Sequence, residues 1–205
     1  MDKIFIVGLT GPSGSGKSAF AEILHKSGID VINADEVARL VVEKGSPCLD
    51  RLCDAFGNEI LNADGSLNRK KLASIAFSSK CKTNLLNEIT HPFIMENIKD
   101  KIDMIRQSSK CCVVLDAPQL FESGADKICH LKVVVTAEKS LRKARIMQRD
   151  GIDEVAADTR LNAALDDGFF RSNADVIIEN NGDISLLKEQ ADELILKIRK
   201  AADNI

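Results

Sequence analysis

Eight consecutive residues, Gly11-Pro12-Ser13-Gly14-Ser15-Gly16-Lys17-Ser18, constrain this chain more than any other stretch. They match G-x-x-x-x-G-K-[ST] without a mismatch, and the four fixed positions agree by chance in roughly one chain in a hundred of this length. The run before them, Ile4-Phe5-Ile6-Val7-Gly8-Leu9, reads as a buried strand, and Ala19-Phe20-Ala21-Glu22-Ile23-Leu24 reads as the first turns of a helix. That strand–loop–helix context gives the pattern a physical meaning. Glycines let the backbone close around phosphate oxygens with successive N–H groups aimed inward as an anion nest. The helix N-terminus, which includes Ala19, adds partial positive charge. Lys17 then reaches the outer phosphates and Ser18 offers a hydroxyl to Mg²⁺. Residues 11–19 are therefore the candidate nucleotide site.

A chain of 205 residues can bury a full core, as one domain or as a core carrying an inserted subdomain. A net charge of −3 and the absence of Trp and Tyr argue against a nucleic-acid binder, which needs a basic footprint and stacking platforms. No apolar run approaches the 18 residues of a membrane span, so no membrane association is expected. The N-terminal apolar stretch is too short for a signal-peptide core and runs straight into the glycine loop. The six cysteines, at 48, 53, 81, 111, 112 and 129, show neither a C-x-x-C pair nor a zinc spacing. They are expected to be reduced structural thiols in a cytoplasmic protein.

Along the chain, Phe20, Ile23 and Leu24 give the first helix an apolar face that Gly28 terminates. A short strand at Val31-Ile32-Asn33 leads to Asp35 and a helix through Val37, Ala38, Leu40 and Val41. From about 39 to 109 the spacing is helical, through Leu49–Phe56, Arg69–Phe77, Leu85–Ile89 and Phe93–Ile105. Gly45-Ser46-Pro47 and Asn62-Ala63-Asp64-Gly65 punctuate this region as turns, and His91-Pro92 is expected to break it between two helices. Strands resume at Cys112–Asp116, Leu131–Val135 and Val176–Ile178, whose continuous β-branched character suits parallel strands covered on both faces. A helix over about 138–150, with Thr136 as N-cap and Gly151 as its stop, and a final helix over about 184–202 complete the reading. The expected fold class is α/β: a five-stranded parallel sheet with helices on both faces and one helical insertion. In domain terms, 1–38 plus 110–205 form the nucleotide-binding core and 39–109 the insertion.

The rest of the chain narrows the chemistry. The chain has no N-K-x-D guanine-reading signature, and its candidate acidic strand ends Leu115-Asp116-Ala117-Pro118 without the Asp-Glu pair common in motor ATPases. Asp116 can hold a Mg²⁺-bound water or cap the turn that follows it. Asp35 falls at the carboxyl end of a strand, where ligands of open α/β sheets sit. It can take a proton from an attacking hydroxyl, or cap the helix beginning at Glu36, and the two roles are compatible. Arg142, Arg145 and Arg149 stand at i, i+3 and i+7 and share one helix face. Such a row suits a lid over transferring phosphates, or a surface salt-bridge face. Arg160, on the next helical segment, is placed to join it. His91 reads equally as a substrate contact or as a side chain bonded to backbone.

These residues resemble the dephospho-coenzyme A kinases, a nucleoside-monophosphate-kinase-like family. The likeness covers about residues 4–200: Gly8-Leu9-Thr10-Gly11 leading into Gly14-Ser15-Gly16-Lys17-Ser18, Ala34-Asp35 with Ala38-Arg39, and Gly65-Ser66-Leu67-Asn68-Arg69. It continues through His91-Pro92, Asp116-Ala117-Pro118 with Leu120-Phe121-Glu122, Gln148-Arg149-Asp150, and Ala174-Asp175-Val176-Ile177 closing on Asn181-Gly182. The resemblance implies a three-layer P-loop kinase fold with a helical acceptor-binding insertion at 39–109 and a lid at about 138–165. It implies transfer of the γ-phosphoryl of ATP, with Mg²⁺, to the ribose 3′-hydroxyl of dephospho-coenzyme A by a cytoplasmic monomer or weak homo-oligomer. Asp35 would be the base, with Lys17 and Arg149 on the transferred group. ATP would be held by residues 11–19, Arg142, Arg145, Arg149, Asn181 and Gly182, and the metal by Ser18 and Asp116. Thr10, Asp35, Arg69, His91 and Pro118 would meet the acceptor. Asn33 departs from the family's usual Asp, Pro12-Ser13 from its Gly-Ile, Gln119 from an apolar residue, and Ala164 and Phe170 from Gln and Lys. A kinase for another small alcohol or nucleotide, or an ATP-binding regulatory relative without turnover, is the alternative reading.

Overall fold

The computed structural model describes residues 4–108, 110–162 and 165–203; Ala164 and part of the expected lid lie outside them. The chain folds as two compact units, one from residues up to Ile32 and from Met104 onward, the other from Asn33 to Asp103.

The first unit is built on a five-stranded sheet. Strand β1 (Phe5–Thr10) is buried along its whole length, and β3 (Cys112–Asp116) is likewise. Beside them run β4 (Leu131–Thr136), β5 (Val176–Glu179) and β2 (Asp30–Asn33), in the order β2-β3-β1-β4-β5. β1 is parallel to both β3 and β4, and β4 to β5. Its apolar runs are continuous because the middle strands are shielded from water on both faces. Register follows: Leu9 stands beside Asp116 and Thr10 beside Val134, which brings the start of the glycine loop level with the end of β3.

Two helices cover the main core. Helix α1 (Lys17–Lys26) buries Phe20, Ala21 and Leu24, and ends at Ser27 with Gly28 in the left-handed region beyond it. The 19-residue α9 (Ile184–Ala202) buries Leu187, Ala191, Leu194 and Ile198 at the expected 4, 3 and 4 spacing, while Ile184 in its first turn stays exposed. Both join Val7, Leu9, Val114, Val133 and Val135 in one apolar cluster. Each fully buried Leu, Ile or Phe there contributes about 1.5–3 kcal/mol.

After β4 comes α6 (Lys139–Asp150). It starts from Glu138, without the cap expected of Thr136. Thr136 is instead the last residue of β4, and its carbonyl accepts from the Asn180 N–H at 2.8 Å. Gly151 ends α6 as expected, in the left-handed region. Helices α7 (Glu154–Asn162) and α8 (Asp167–Asn173) follow, the second too short to leave a readable period in the sequence.

The second unit is helical, as anticipated: α2 (Ala34–Leu40), α3 (Pro47–Phe56), a 3₁₀ turn at Asn58–Ile60, α4 (Arg69–Ala76) and most of α5 (Lys80–Gln107). Ser46 caps α3 by accepting from Leu49 N–H, Asn68 caps α4 through Lys71 N–H, and Pro47 sits in the first turn of α3, where its missing N–H matters least. Leu49, Leu52, Phe56, Ile60 and Leu72 are among its buried residues. The expected break at Pro92 is not there. α5 passes through it as one helix of 28 residues. Proline removes one backbone hydrogen bond, but the apolar residues at Leu86, Ile89, Ile94, Ile98 and Ile102 are all at least partly buried, and packing along that length overrides the local penalty.

Candidate active site

The loop between β1 and α1 carries its curvature at Gly14 and Gly16, with φ of +79° and +91°. Space forbids side chains as well. A Cβ at Gly14 would lie 2.6 Å from the carbonyl oxygen of Arg142, and one at Gly16 would lie 2.0 Å from Asn180 Nδ2. The loop is thus wedged between α6 and the residue that follows β5. Ser15 N–H bonds back to Pro12 O at 3.1 Å, and Phe20 N–H to Gly16 O at 3.1 Å, so the loop flows directly into the first turn of α1.

Lys17 is the first residue of α1, and its ammonium forms an ion pair with the Asp116 carboxylate at the end of β3. Both side chains are largely buried. The sheet register explains the meeting, since Asp116 stands beside Leu9, two residues before Gly11. Ser18 follows on the exposed first turn of α1, together with Ala19. Thr10, expected at the acceptor, is fully buried, and its hydroxyl donates to Pro118 O at 3.1 Å. That bond ties the end of β1 to the turn after β3, so Thr10 shapes the site from below.

The three arginines of α6 do not act as one row. Arg142 is buried; its Nε donates to Ala137 O at 3.0 Å and its Nη2 grips both oxygens of Asp167, at 2.8 and 2.7 Å. It braces α6 against α8. Arg145 turns to the glycine loop, with Nη1 at 3.3 Å from Gly14 O and 3.4 Å from Ser15 O, and Nη2 at 3.0 Å from Asn180 O. Arg149 is exposed and held by Asp150, at 2.8 and 2.9 Å, and Arg160 pairs with the same carboxylate. The bond from Arg149 holds Asp150 below the usual carboxylate range and in turn raises Arg149. The helical period brings these side chains to one side, but a partly exposed acid 25 residues downstream draws Arg142 away.

In the second unit, Asp35 is exposed in the first turn of α2. It is not the cap. Asn33 is, its Oδ1 accepting from Asp35 N–H at 2.9 Å and Glu36 N–H at 3.2 Å. The Asn33 amide therefore has a helix-capping role, and among the described residues the Asp35 carboxylate has no hydrogen-bond partner. Arg69 donates to Arg39 O at 3.2 Å. His91 lies half-buried in α5, where burial lowers its pKa.

Beyond these, Asn181 accepts from Glu138 N–H at 2.8 Å and Gly182 opens the turn into α9. Phe170 sits buried in a cluster with Phe121 and Phe169. Gln119 is exposed. Burial pushes the Cys129 thiol up to about 12 and Cys112 to about 11, and all six cysteines are free.

Comparison with known proteins gives this geometry a family. The profile of the dephospho-CoA kinase family matches residues 5–185. The dephospho-CoA kinase of Corynebacterium efficiens is 41% identical over 192 residues, 94% of this chain and 96% of its own. The chain belongs to the dephospho-CoA kinase family. Solved structures agree. The dephospho-CoA kinase of Campylobacter jejuni superposes with a TM-score of 0.72 at 28% identity, covering 96% of this chain and 98% of its own. A Thermus thermophilus protein superposes at 0.81 with 27% identity, covering 95% and 97%. The match spans both units, so it includes the helical unit that carries Asp35, Arg69 and His91 as well as the loop. Membership makes the chain a kinase. Among the described residues no helix is long and apolar enough to cross a membrane.

Sequence reasoning missed Asn180, Asp167 and the buried state of Arg142. Asn180 had one legible signal: a polar residue closing an apolar strand one position before the quoted Asn181-Gly182.

Proposed function

We propose that this chain transfers the γ-phosphoryl group of ATP to the ribose 3′-hydroxyl of dephospho-coenzyme A. The observation that carries the reading is an end-to-end family match in a chain that keeps the glycine loop, Lys17 and Asp116 assembled as one unit. Residues 11–19 hold the triphosphate through inward N–H groups and the N-terminus of α1. Lys17 exchanges its partner: the ammonium held by Asp116 in the resting site moves onto the β- and γ-phosphates as ATP enters. Arg149, tethered rather than loose, is the lid cation that spreads negative charge over the transferring group. Asp35 takes the proton of the attacking hydroxyl. Among the described residues its carboxylate has no hydrogen-bond or ion-pair partner, which leaves it available as an acceptor.

The Ser18 hydroxyl and the Asp116 carboxylate are hard oxygen donors of the kind Mg²⁺ prefers, and among the described residues no group of three or more His, Cys, Asp or Glu side chains forms a metal cage. These two would hold a Mg²⁺ that keeps most of its waters and its phosphate ligands, and that ion would supply neutralisation of phosphate charge. Arg69 and His91 belong to the acceptor side, as does Pro118. We place the reaction in the cytoplasm.

The test offers purified protein Mg²⁺-ATP with dephospho-coenzyme A and, separately, with a panel of other small alcohols and nucleosides, and follows ADP release. ADP formed with dephospho-coenzyme A well above the panel is the expected result. ADP formed with another acceptor instead would reassign the substrate, and ATP binding without ADP release would make the chain a regulatory relative.

A further inference from the structure

Asn180 is buried, with 9% of its surface exposed, although its neighbours Glu179 and Asn181 lie in water. Its polar groups are committed in three directions. The backbone N–H donates to Thr136 O at 2.8 Å, the carbonyl accepts from Arg145 Nη2 at 3.0 Å, and the side-chain Nδ2 donates to Ser15 O at 2.8 Å. Arg145 Nη1 reaches the same Ser15 carbonyl at 3.4 Å and that of Gly14 at 3.3 Å. Two donors therefore converge on the outer carbonyls of the glycine loop.

Peptide geometry gives this convergence a consequence. In a planar trans peptide the C=O and the following N–H point in opposite directions. Fixing Ser15 C=O outward aims Gly16 N–H inward. That N–H belongs to the nest that receives phosphate. An anion site is strong to the extent that its donors are already oriented before the ligand arrives.

We propose that Asn180 is a positioning residue for the phosphates of the bound nucleotide, acting from behind the loop by pinning the Ser15 carbonyl, with Arg145 as the second pin. This rests on the reading of residues 11–19 as the ATP site. It predicts an effect confined to the nucleotide half of the reaction.

Asn180→Leu tests it directly, since the variant keeps nearly the same size and shape, removes the donor and adds no charge. ATP affinity by calorimetry should fall about tenfold, the worth of one buried hydrogen bond with its partner left unpaired. KM for dephospho-coenzyme A should stay unchanged, and hydrogen exchange at the Gly16 and Lys17 amides should quicken. Asn180→Ala serves as the second variant should the leucine disturb folding. Unchanged ATP affinity in a folded variant would overturn the proposal. So would equal losses for both substrates alongside a fall in Tm, the signature of a purely structural asparagine. Calorimetry needs no turnover, so a wild type that binds ATP without forming coenzyme A would sink the proposed reaction and leave this inference standing on its own result.

Discussion

At the scale of single residues, the structure divides the charged side chains by what already holds them. Lys17 and Asp116 neutralise each other, Arg142 is bound to Asp167, and Arg149 shares Asp150 with Arg160, whereas Asp35 stands exposed with its carboxylate uncommitted among the described residues. Asp35→Asn should therefore leave ATP affinity nearly unchanged and lower turnover by on the order of 10²–10⁴, the usual worth of a general base. Titration calorimetry beside steady-state rates checks both halves, and turnover close to wild type would reduce Asp35 to a residue of the first helical turn. His91 yields a prediction about pH. Burial holds its pKa below the ordinary 6.5, so the unfolded chain binds the proton more readily than the folded one. Stability is then full above 6.5 and is lost as pH falls from there through the folded value. Urea midpoints measured down to about pH 5 should decline, and His91→Gln should flatten that part of the curve. Lys17, Ser18, Asp35 and Asp116 were all legible as candidates because motif and strand-end position are local. The fate of Arg142 was not, because its partner lies 25 residues away on a short helix whose own pattern carries no period.

At the scale of elements, the strands and the two longest core helices announced themselves through continuous β-branched runs and 3-and-4 spacing, and the structure returns them within a residue or two. The misreadings came from rules that hold locally and lose to longer-range packing. Pro92 is a helix breaker by its own chemistry, yet it sits inside a 28-residue helix with partly buried apolar residues before it and buried Ile98 and Ile102 after it. Thr136 has a good capping side chain but is drawn into β4, where Val135 and Thr136 pair with Ile178 and Glu179. Asn33 is the most instructive. Read against the family it was a missing carboxylate; in the structure it is the cap of α2, accepting two N–H groups at the helix that presents Asp35. Asn33→Ala should cost about 0.5–2 kcal/mol and lower turnover by loosening that first turn. Asn33→Asp should keep the cap, since a carboxylate accepts the same bonds, and should hold both stability and activity near wild type. Thermal melts with parallel rate measurements decide this, and a large loss in Asn33→Asp would mean that the amide itself contacts a ligand.

At the scale of the whole molecule, one unit carries the glycine loop, Lys17 and Asp116 and the other carries Asp35, Arg69 and His91, and the chain crosses between them at Ile32–Asn33 and Asp103–Met104. The split follows from composition. The sheet unit is built around buried Val, Leu and Ile strands, and the inserted unit around helices capped by Ser46, Asn68 and Asn33. In the sequence the apolar period changes from continuous runs to helical spacing at about residue 39 and back at about 109, whereas the compact units divide about six residues earlier at each end. The glycine loop locates phosphate in many kinases and does not by itself select what accepts it, so the acceptor is the point on which the account stands or falls. The most direct measurement is mass spectrometry with ³¹P NMR of the product after incubation with Mg²⁺-ATP and dephospho-coenzyme A. The account predicts one added phosphoryl group, as a monoester on the ribose 3′-oxygen. Unmodified dephospho-coenzyme A in the presence of active, ATP-binding protein, or a phosphate on any other oxygen, would contradict it.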